Sequence, residues 1–173
     1  EVSISILHQD ALGLSAGRMA ALEQSQGEWV AITDIDVRPE QDWVEQMLIA
    51  HVPVGDEKIV AITGRTIFQT HTDIVSRFRA VEIASKYRSR PRRTSLANGP
   101  CSMFKRQALL DAGGFDPRWY HAEDMEVSLR LLRAGGSIVY APDALVTHVP
   151  EVGIRHFLHK RRRDARAHVR IVR

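Results

Sequence analysis

Gly27 to Asp36 reads GEWVAITDID, an apolar run that ends on two carboxylates one residue apart. Val30, Ala31 and Ile32 have the continuous apolar character of a strand covered on both faces. Asp34 and Asp36 then stand at its carboxyl end, the edge at which open α/β sheets bind ligands. Residues i and i+2 of a strand point to the same side, so both carboxylates are expected to face one ligand. They need a neutralising partner, either a divalent cation or a pair of arginines. Oxygen ligands suit Mg²⁺ or Mn²⁺, ions that keep several waters and bind substrate phosphates. An isolated Asp-x-Asp is more often solvated surface charge; its place behind a buried strand is what favours a functional reading.

The flanking sequence alternates in type. Val2 to Leu7 reads as a strand, Ser15 as the N-cap of a helix stopped by Gly27, and Pro39 as the first turn of a helix with Trp43, Met47 and Ala50 on one face. KIVAITGR reads as a buried strand, Val75–Tyr87 as a helix, and PCSMF as a short strand. KRQALLDAGGF is a helix closed by Gly113-Gly114. HAEDMEVSLRLLRAGG is a second helix, with Met125, Leu129 and Leu132 on one face and Gly135-Gly136 as its stop. SIVYAP and ALVTH follow as two strands, the last ending on His148. Strands alternating with helices predict a mostly parallel sheet in an α/β domain.

With 173 residues, 44% hydrophobic and 26% charged, the chain suits one soluble domain with a substantial core. No apolar run approaches a membrane span, and no signal-peptide pattern opens the sequence. A single cysteine, Cys101, excludes an internal disulfide framework and a cysteine-based zinc site, and makes a reducing cytoplasmic compartment the natural expectation. Charge is uneven. Residues 1–50 hold nine acidic residues against Arg18 and Arg38, whereas 151–173 hold eight basic residues against Glu151 and Asp164. Such a basic segment is a solvated helix face or a neighbour of phosphate, anionic lipid or nucleic acid. Ile154, Phe157, Leu158 and Ala165 can form its apolar stripe. No nucleic-acid motif is present, and acidic residues dominate the expected ligand edge, so nucleic acid is not expected as a partner.

Two further positions could carry chemistry. Glu123-Asp124 opens a helix, where acidic residues complement the dipole by about 0.3–1 kcal/mol; a carboxylate there can also act as a general base toward a hydroxyl within hydrogen-bond reach. His148 closes a strand and is more often a packed histidine than a ligand.

In combination, the order of these pieces resembles a family 2 glycosyltransferase of the GT-A fold. NGPCSMFKRQALLDAGGFDPRWYHAEDMEVSLRLLRAGGSIVYAPDALVTH is similar to its second half: an Asn/Gly-led strand, a helix ending in Gly-Gly-Phe-Asp, a Glu-Asp pair, an Arg-Leu-x-x-x-Gly helix and a late histidine. GLSAGRMAALEQSQGEWVAITDIDVRPEQDWVEQM resembles the helix and Asp-x-Asp strand that precede it. The likeness covers about residues 8–150 and implies a GT-A, Rossmann-like, mostly parallel mixed sheet flanked by helices, with the first strand or strands missing. Residues 1–150 are then a partial transferase domain and 151–173 a basic helical segment.

The resemblance implies roles. Asp36 matches the direct metal ligand, Asp34 the carboxylate beside the donor's ribose and metal shell, and His148 the histidine that completes the metal site. Asp124, with Glu123 beside it, matches the catalytic base. Asn98 and Gly99 match the loop lining the sugar and acceptor, and Arg18 an arginine that holds the donor. Two departures stand out. Met19 replaces the family's asparagine, and the base-binding first strand with its Asp-Asp-Gly-Ser turn does not occur. With the abrupt start at Glu1, this predicts the later part of a longer domain.

The implied activity is metal-dependent, inverting transfer of a sugar from a nucleotide-sugar donor to a saccharide, lipid-linked or peptide acceptor, with Mg²⁺ or Mn²⁺ as cofactor, in cell-wall or polysaccharide biosynthesis. No Gln-x-x-Arg-Trp motif of processive synthases is present, which favours single additions. The expected location is cytoplasmic, with the basic segment against the inner face of the plasma membrane. The competing readings are a nucleotidyltransferase-like domain and a catalytically degenerate transferase that only binds partners.

Overall fold

A computed structural model describes residues 3–172. A six-stranded sheet forms its centre, built from β1 (Trp29–Ile32), β2 (Val37–Pro39), β3 (Ile59–Phe68), β4 (Arg93–Thr94), β5 (Ser102–Lys105) and β6 (Ser137–His148). Its order is β1-β5-β3-β6-β2, with β4 also on β6. The helices are α1 (Leu14–Gln24), α2 (Trp43–Ala50), α3 (Ile74–Arg88), α4 (Arg106–Asp111), α5 (Glu123–Arg133) and α6 (Ile154–Val172).

The expected mixed α/β sheet flanked by helices is present, with more antiparallel than parallel pairings. Among the described residues only β3 and β6 are parallel neighbours; β1/β5, β3/β5, β2/β6 and β4/β6 are antiparallel. β1, β3 and β6 do share one direction, as helical crossovers require. β5 breaks the series, because the excursion through α3 and β4 returns the chain between β1 and β3 in the opposite sense.

Adjacent residues of the central strands face opposite sides, and each side has its own core. Val60, Phe104 and Ile138 pack with Leu22 of α1, Leu109 of α4, and Val127 and Leu131 of α5. Ile62, Met103 and Val139 pack with Trp43 and Met47 of α2. On α5 the buried stripe is Glu123, Val127 and Leu131, not the expected face of Met125, Leu129 and Leu132, which is only half-buried. Met19, which replaces the family's asparagine, packs against the first of these cores beside Gly114.

Several boundaries differ from expectation. Ser3 to Leu7 form no strand and are exposed, while Val2 lies outside the described residues. Gly13, not Ser15, caps α1. Ser15 is buried one residue inside the helix, and its hydroxyl donates to the Trp119 carbonyl. Pro39 ends β2 instead of opening α2. The two last strands are one, β6, whose register against β3 slips between Thr63 and Arg65. Gly64 sits at that slip, where an added Cβ would lie 2.2 Å from the Ala144 carbonyl and 2.5 Å from Cys101 Sγ. Gly64→Ala is therefore expected to cost about 1–3 kcal/mol through overpacking, read as a lowered denaturant midpoint; an unchanged midpoint would mean that the slip can open.

α6 packs back on the domain. Phe157 meets Phe78 edge-on at 5.9 Å, and Lys160 pairs with the buried Glu151, which also accepts from Arg79 Nε at 3.0 Å. Burial pushes the Glu151 carboxyl up, but Lys160 and Arg79 outweigh it and hold it below the usual range. Ile154 and Leu158, expected in an apolar stripe, are exposed. Among the described residues no helix is long and apolar enough to cross a membrane.

Candidate active site

The two aspartates do not continue β1. After Ile32 the chain turns over Asp34–Val37, with the Val37 N–H donating to the Asp34 carbonyl at 3.2 Å and Ile35 fully exposed at the tip. β2 then pairs with the end of β6, Val37 opposite His148, and the Val149 N–H donates to the Asp36 carbonyl at 3.1 Å. The turn sends the carboxylates to different partners rather than to one side of a strand. Asp34 Oδ1 accepts from Arg18 Nη2 at 2.8 Å, and Asp36 Oδ2 lies 3.5 Å from His148 Nε2.

His148 is held firmly. Its ring stacks on Phe68 with centroids 4.4 Å apart, and Nδ1 lies 2.7 Å from the Val149 carbonyl. A carbonyl only accepts, so that contact puts a proton on Nδ1 and leaves Nε2 facing Asp36. A second-atom hydrogen bond of this kind also orients metal-binding histidines. The oxygen and nitrogen donors of Asp36 and His148 suit a divalent cation of the Mn²⁺ type, with positions left for water and phosphate. Asp34, Asp36 and His148 do not close into one three-ligand cluster; among the described residues no such cluster of three or more exists.

Arg18 is the hub. It is buried, donates from Nη2 to Asp34 and from Nη1 to Glu123 Oε1 at 2.5 Å, and lies over the Phe115 ring. Its planar fork can serve two carboxylates at once, which an ammonium cannot do as well. Burial, then the Asp124 charge, push the Glu123 carboxyl up, with Arg18 pulling against them.

Asp124 is set by backbone. Its Oδ2 accepts from the Gly99 N–H at 3.1 Å and its Oδ1 from the Met125 N–H at 2.8 Å. Burial nevertheless pushes its carboxyl up. Ala122 caps α5 in the left-handed region, φ 58°, ψ 28°, the only non-glycine residue with positive φ among those described. Single strained residues of this kind cluster at functional sites. Gly99 lies against both Arg18 and Asp124, where a Cβ would come within 3.5 Å of either side chain. Asn98 donates from Nδ2 to Thr66 Oγ1 and to the Tyr87 hydroxyl, each at 2.9 Å.

Asp34, Asn98, Asp124 and His148 line one cleft of about 510 Å³, closed on its far side by Lys160, Arg161, Asp164 and His168 of α6. Arg18, Asp34 and Asp36 border a second hollow of about 680 Å³ lined by Val30, Ile32 and Phe115. Of the expected site residues, Asp34, Asn98, Asp124 and His148 line the first cleft and Arg18, Asp34 and Asp36 the second, while Glu123 is held by Arg18 and Gly99 lies against Arg18 and Asp124. Sequence reasoning missed Thr66 and Tyr87, which lie far from any motif. Burial pushes the Cys101 thiol up to about 12, which leaves it protonated and inert.

The family model described as "Glycosyl transferase family group 2" matches residues 29–171. A pre-mycofactocin glycosyltransferase of Mycobacterium tuberculosis is 28% identical over 90% of this chain and 34% of its own length. An N-acetylglucosaminyl-diphospho-decaprenol L-rhamnosyltransferase of the same organism is 36% identical over 42% of this chain and 22% of its own. The chain thus spans about a third or less of these curated relatives. Among solved structures, GalNAc-T7 with UDP, GalNAc and Mn²⁺ superimposes with a TM-score of 0.58 at 15% identity, over 81% of this chain and 31% of that one. The mannosyltransferase PcManGT from Pyrobaculum calidifontis, in complex with GDP-Man and Mn²⁺, gives 0.58 at 23% identity over 86% and 40%. With the family matched over most of its length and these folds sharing its architecture, the chain belongs to glycosyl transferase family group 2 and adopts the GT-A fold.

Proposed function

We propose that this chain carries the metal and acceptor side of an active site that transfers a sugar, with inversion, from a nucleoside diphosphate sugar to an acceptor hydroxyl. One observation carries the reading: Asp34, Asn98, Asp124 and His148, from four separate elements or loops, line a single cleft. Asp34 and Glu123 are tied to Arg18, which leaves Asp124 as the carboxylate free to act as a base.

Asp124 accepts the acceptor's hydroxyl proton as the new bond from that oxygen to the anomeric carbon forms. The carbon–oxygen bond to the diphosphate breaks, and its electron pair leaves with the nucleoside diphosphate. Attack on the face opposite the leaving group inverts the centre, so no covalent intermediate on the protein is required. Asp36 and His148 would hold a divalent cation, which when bound neutralises charge on the departing diphosphate. Asn98 and Gly99 shape the sugar and acceptor side. Arg18 acts here by fixing Asp34 and Glu123 rather than by reaching the donor itself.

The GT-A structures in complex with UDP or GDP-Man and Mn²⁺ support this donor class and cofactor. The diphospho-decaprenol of one relative's name favours a lipid-linked acceptor, and the basic α6 suits the cytoplasmic face of an anionic membrane. Thermal shift with UDP or GDP sugars, with and without Mn²⁺, tests the reading. Stabilisation that needs both metal and nucleotide, and that falls at least tenfold in apparent affinity in Asp36→Asn and His148→Ala, is the expected result. Metal-independent stabilisation, unchanged in both variants, would remove the metal role.

A further inference from the structure

On the side of α6 away from the cleft lined by Asp34, Asn98, Asp124 and His148 lies another, of about 440 Å³, between the helix and the loop that runs from Asp116 to His121. Arg118, Trp119, Tyr120 and His121 form one wall. His159, Arg162, Arg163, Arg166 and Arg170 form the other, spaced at three, four, seven and eleven residues, as one helix face requires. Five guanidinium groups and two imidazoles thus surround a hollow with no acidic residue in its lining.

Among the described residues, the cleft's arginines make salt bridges to two acids outside its lining. Asp116 holds Arg118, and Asp164 holds Arg163 at 3.3 Å. Arg162 and Arg166 make no salt bridge among the described residues, and the Nε of Arg163 is buried without any acceptor. A donor left in that state costs free energy comparable to a lost hydrogen bond. The wall is also built to stay in place. Arg170 stacks 4.1 Å over the Trp119 ring and donates to the Arg118 carbonyl at 2.9 Å, while Ser15 of α1 donates to the Trp119 carbonyl. Like charges held together by such fixtures repel one another unless an anion sits among them.

We propose that this cleft is a binding site for a phosphate or diphosphate group, distinct from the place of the donor's diphosphate beside Asp36 and His148. Guanidinium forks match phosphate oxygens two at a time, and their charges are not lost at any physiological pH. The unpaired Arg162 and Arg166 would supply the main contacts, and Trp119 flanks the bound group. The inference does not depend on glycosyl transfer, since it concerns anion binding in the absence of donor and metal.

Inorganic pyrophosphate, titrated into the 173-residue chain in EDTA, tests it by calorimetry and by the fluorescence of Trp119, with Trp119→Phe identifying that signal among the three tryptophans. Saturable binding is expected, weakened at least tenfold in Arg162→Ala/Arg166→Ala and weakened again by added salt. Arg155→Ala, which removes an exposed charge from the first turn of the same helix, should leave it unchanged. Flotation with phosphatidylglycerol and phosphatidylcholine vesicles separates the sources of the phosphate. Pyrophosphate competing with phosphatidylglycerol vesicles for the wild type indicates a lipid-borne group in the cleft; pyrophosphate binding without vesicle binding indicates a soluble one. No pyrophosphate binding, binding unaltered in the double variant, or vesicle binding that pyrophosphate does not displace would each overturn the proposal.

Discussion

Asp124→Asn is expected to lower turnover by about 10²–10⁴-fold, the usual contribution of a positioned base, while donor affinity stays nearly unchanged. The amide keeps one acceptor oxygen for the Gly99 or Met125 N–H but cannot take a proton from a hydroxyl. Melting distinguishes this from misfolding. Losing one backbone contact destabilises, but removing a carboxylate whose ionisation burial disfavours works the other way, so the midpoint should move little. Equal turnover in the variant would remove Asp124 from the role.

The raised Asp124 carboxyl also sets the pH behaviour. A base works only when ionised, so the acid limb of kcat/KM should lie above the ordinary aspartate range near 3.9. Its contribution to stability has the opposite sign. With the folded value above the unfolded one, the native state binds more protons, and stability falls as pH rises through the folded value. A limb at or below the ordinary range would show that another group is the base.

Arg18→Met should be the most destabilising single change at the site. It leaves Glu123 buried and Asp34 partly buried beside Asp124 with no cation between them. Breaking such a pair from one side typically costs about 3–5 kcal/mol, on the order of 10 °C for a domain of this size. Glu123 is already pushed up, and loss of Arg18 raises it further. The variant therefore regains stability as acid protonates Glu123 and loses it as pH rises, so the deficit should be wider at pH 8 than at pH 5. Arg18→Lys should recover only part, because one ammonium cannot serve both carboxylates as the fork does. Glu123→Gln placed on Arg18→Met should recover more at pH 8. Equal denaturant midpoints for wild type and Arg18→Met would mean that the hub carries no energetic weight.

Much of the frame was legible from local pattern. Continuous apolar runs located β1 and β3, helical spacing located α2, α3 and α5, and Gly113-Gly114 and Gly135-Gly136 marked true ends. These are short-range properties: which residues a helix or strand must bury, and where a backbone needs positive φ. Asp34, Asn98, Asp124 and His148, singled out from their order along the chain, line one cleft, while Asp36 borders the neighbouring hollow.

What the sequence alone determined was therefore the six helices and the strands β1, β3, β5 and β6, in their order along the chain. Tertiary structure decided the rest. β5 entered between β1 and β3, β2 turned Asp36 toward His148 and away from Asp34, and Arg18 became an internal strut between Asp34 and Glu123. None of these follows from local spacing, because each depends on hydrogen bonds and charges meeting across 16 to 112 residues of chain, and only the assembled sheet brings those groups within reach.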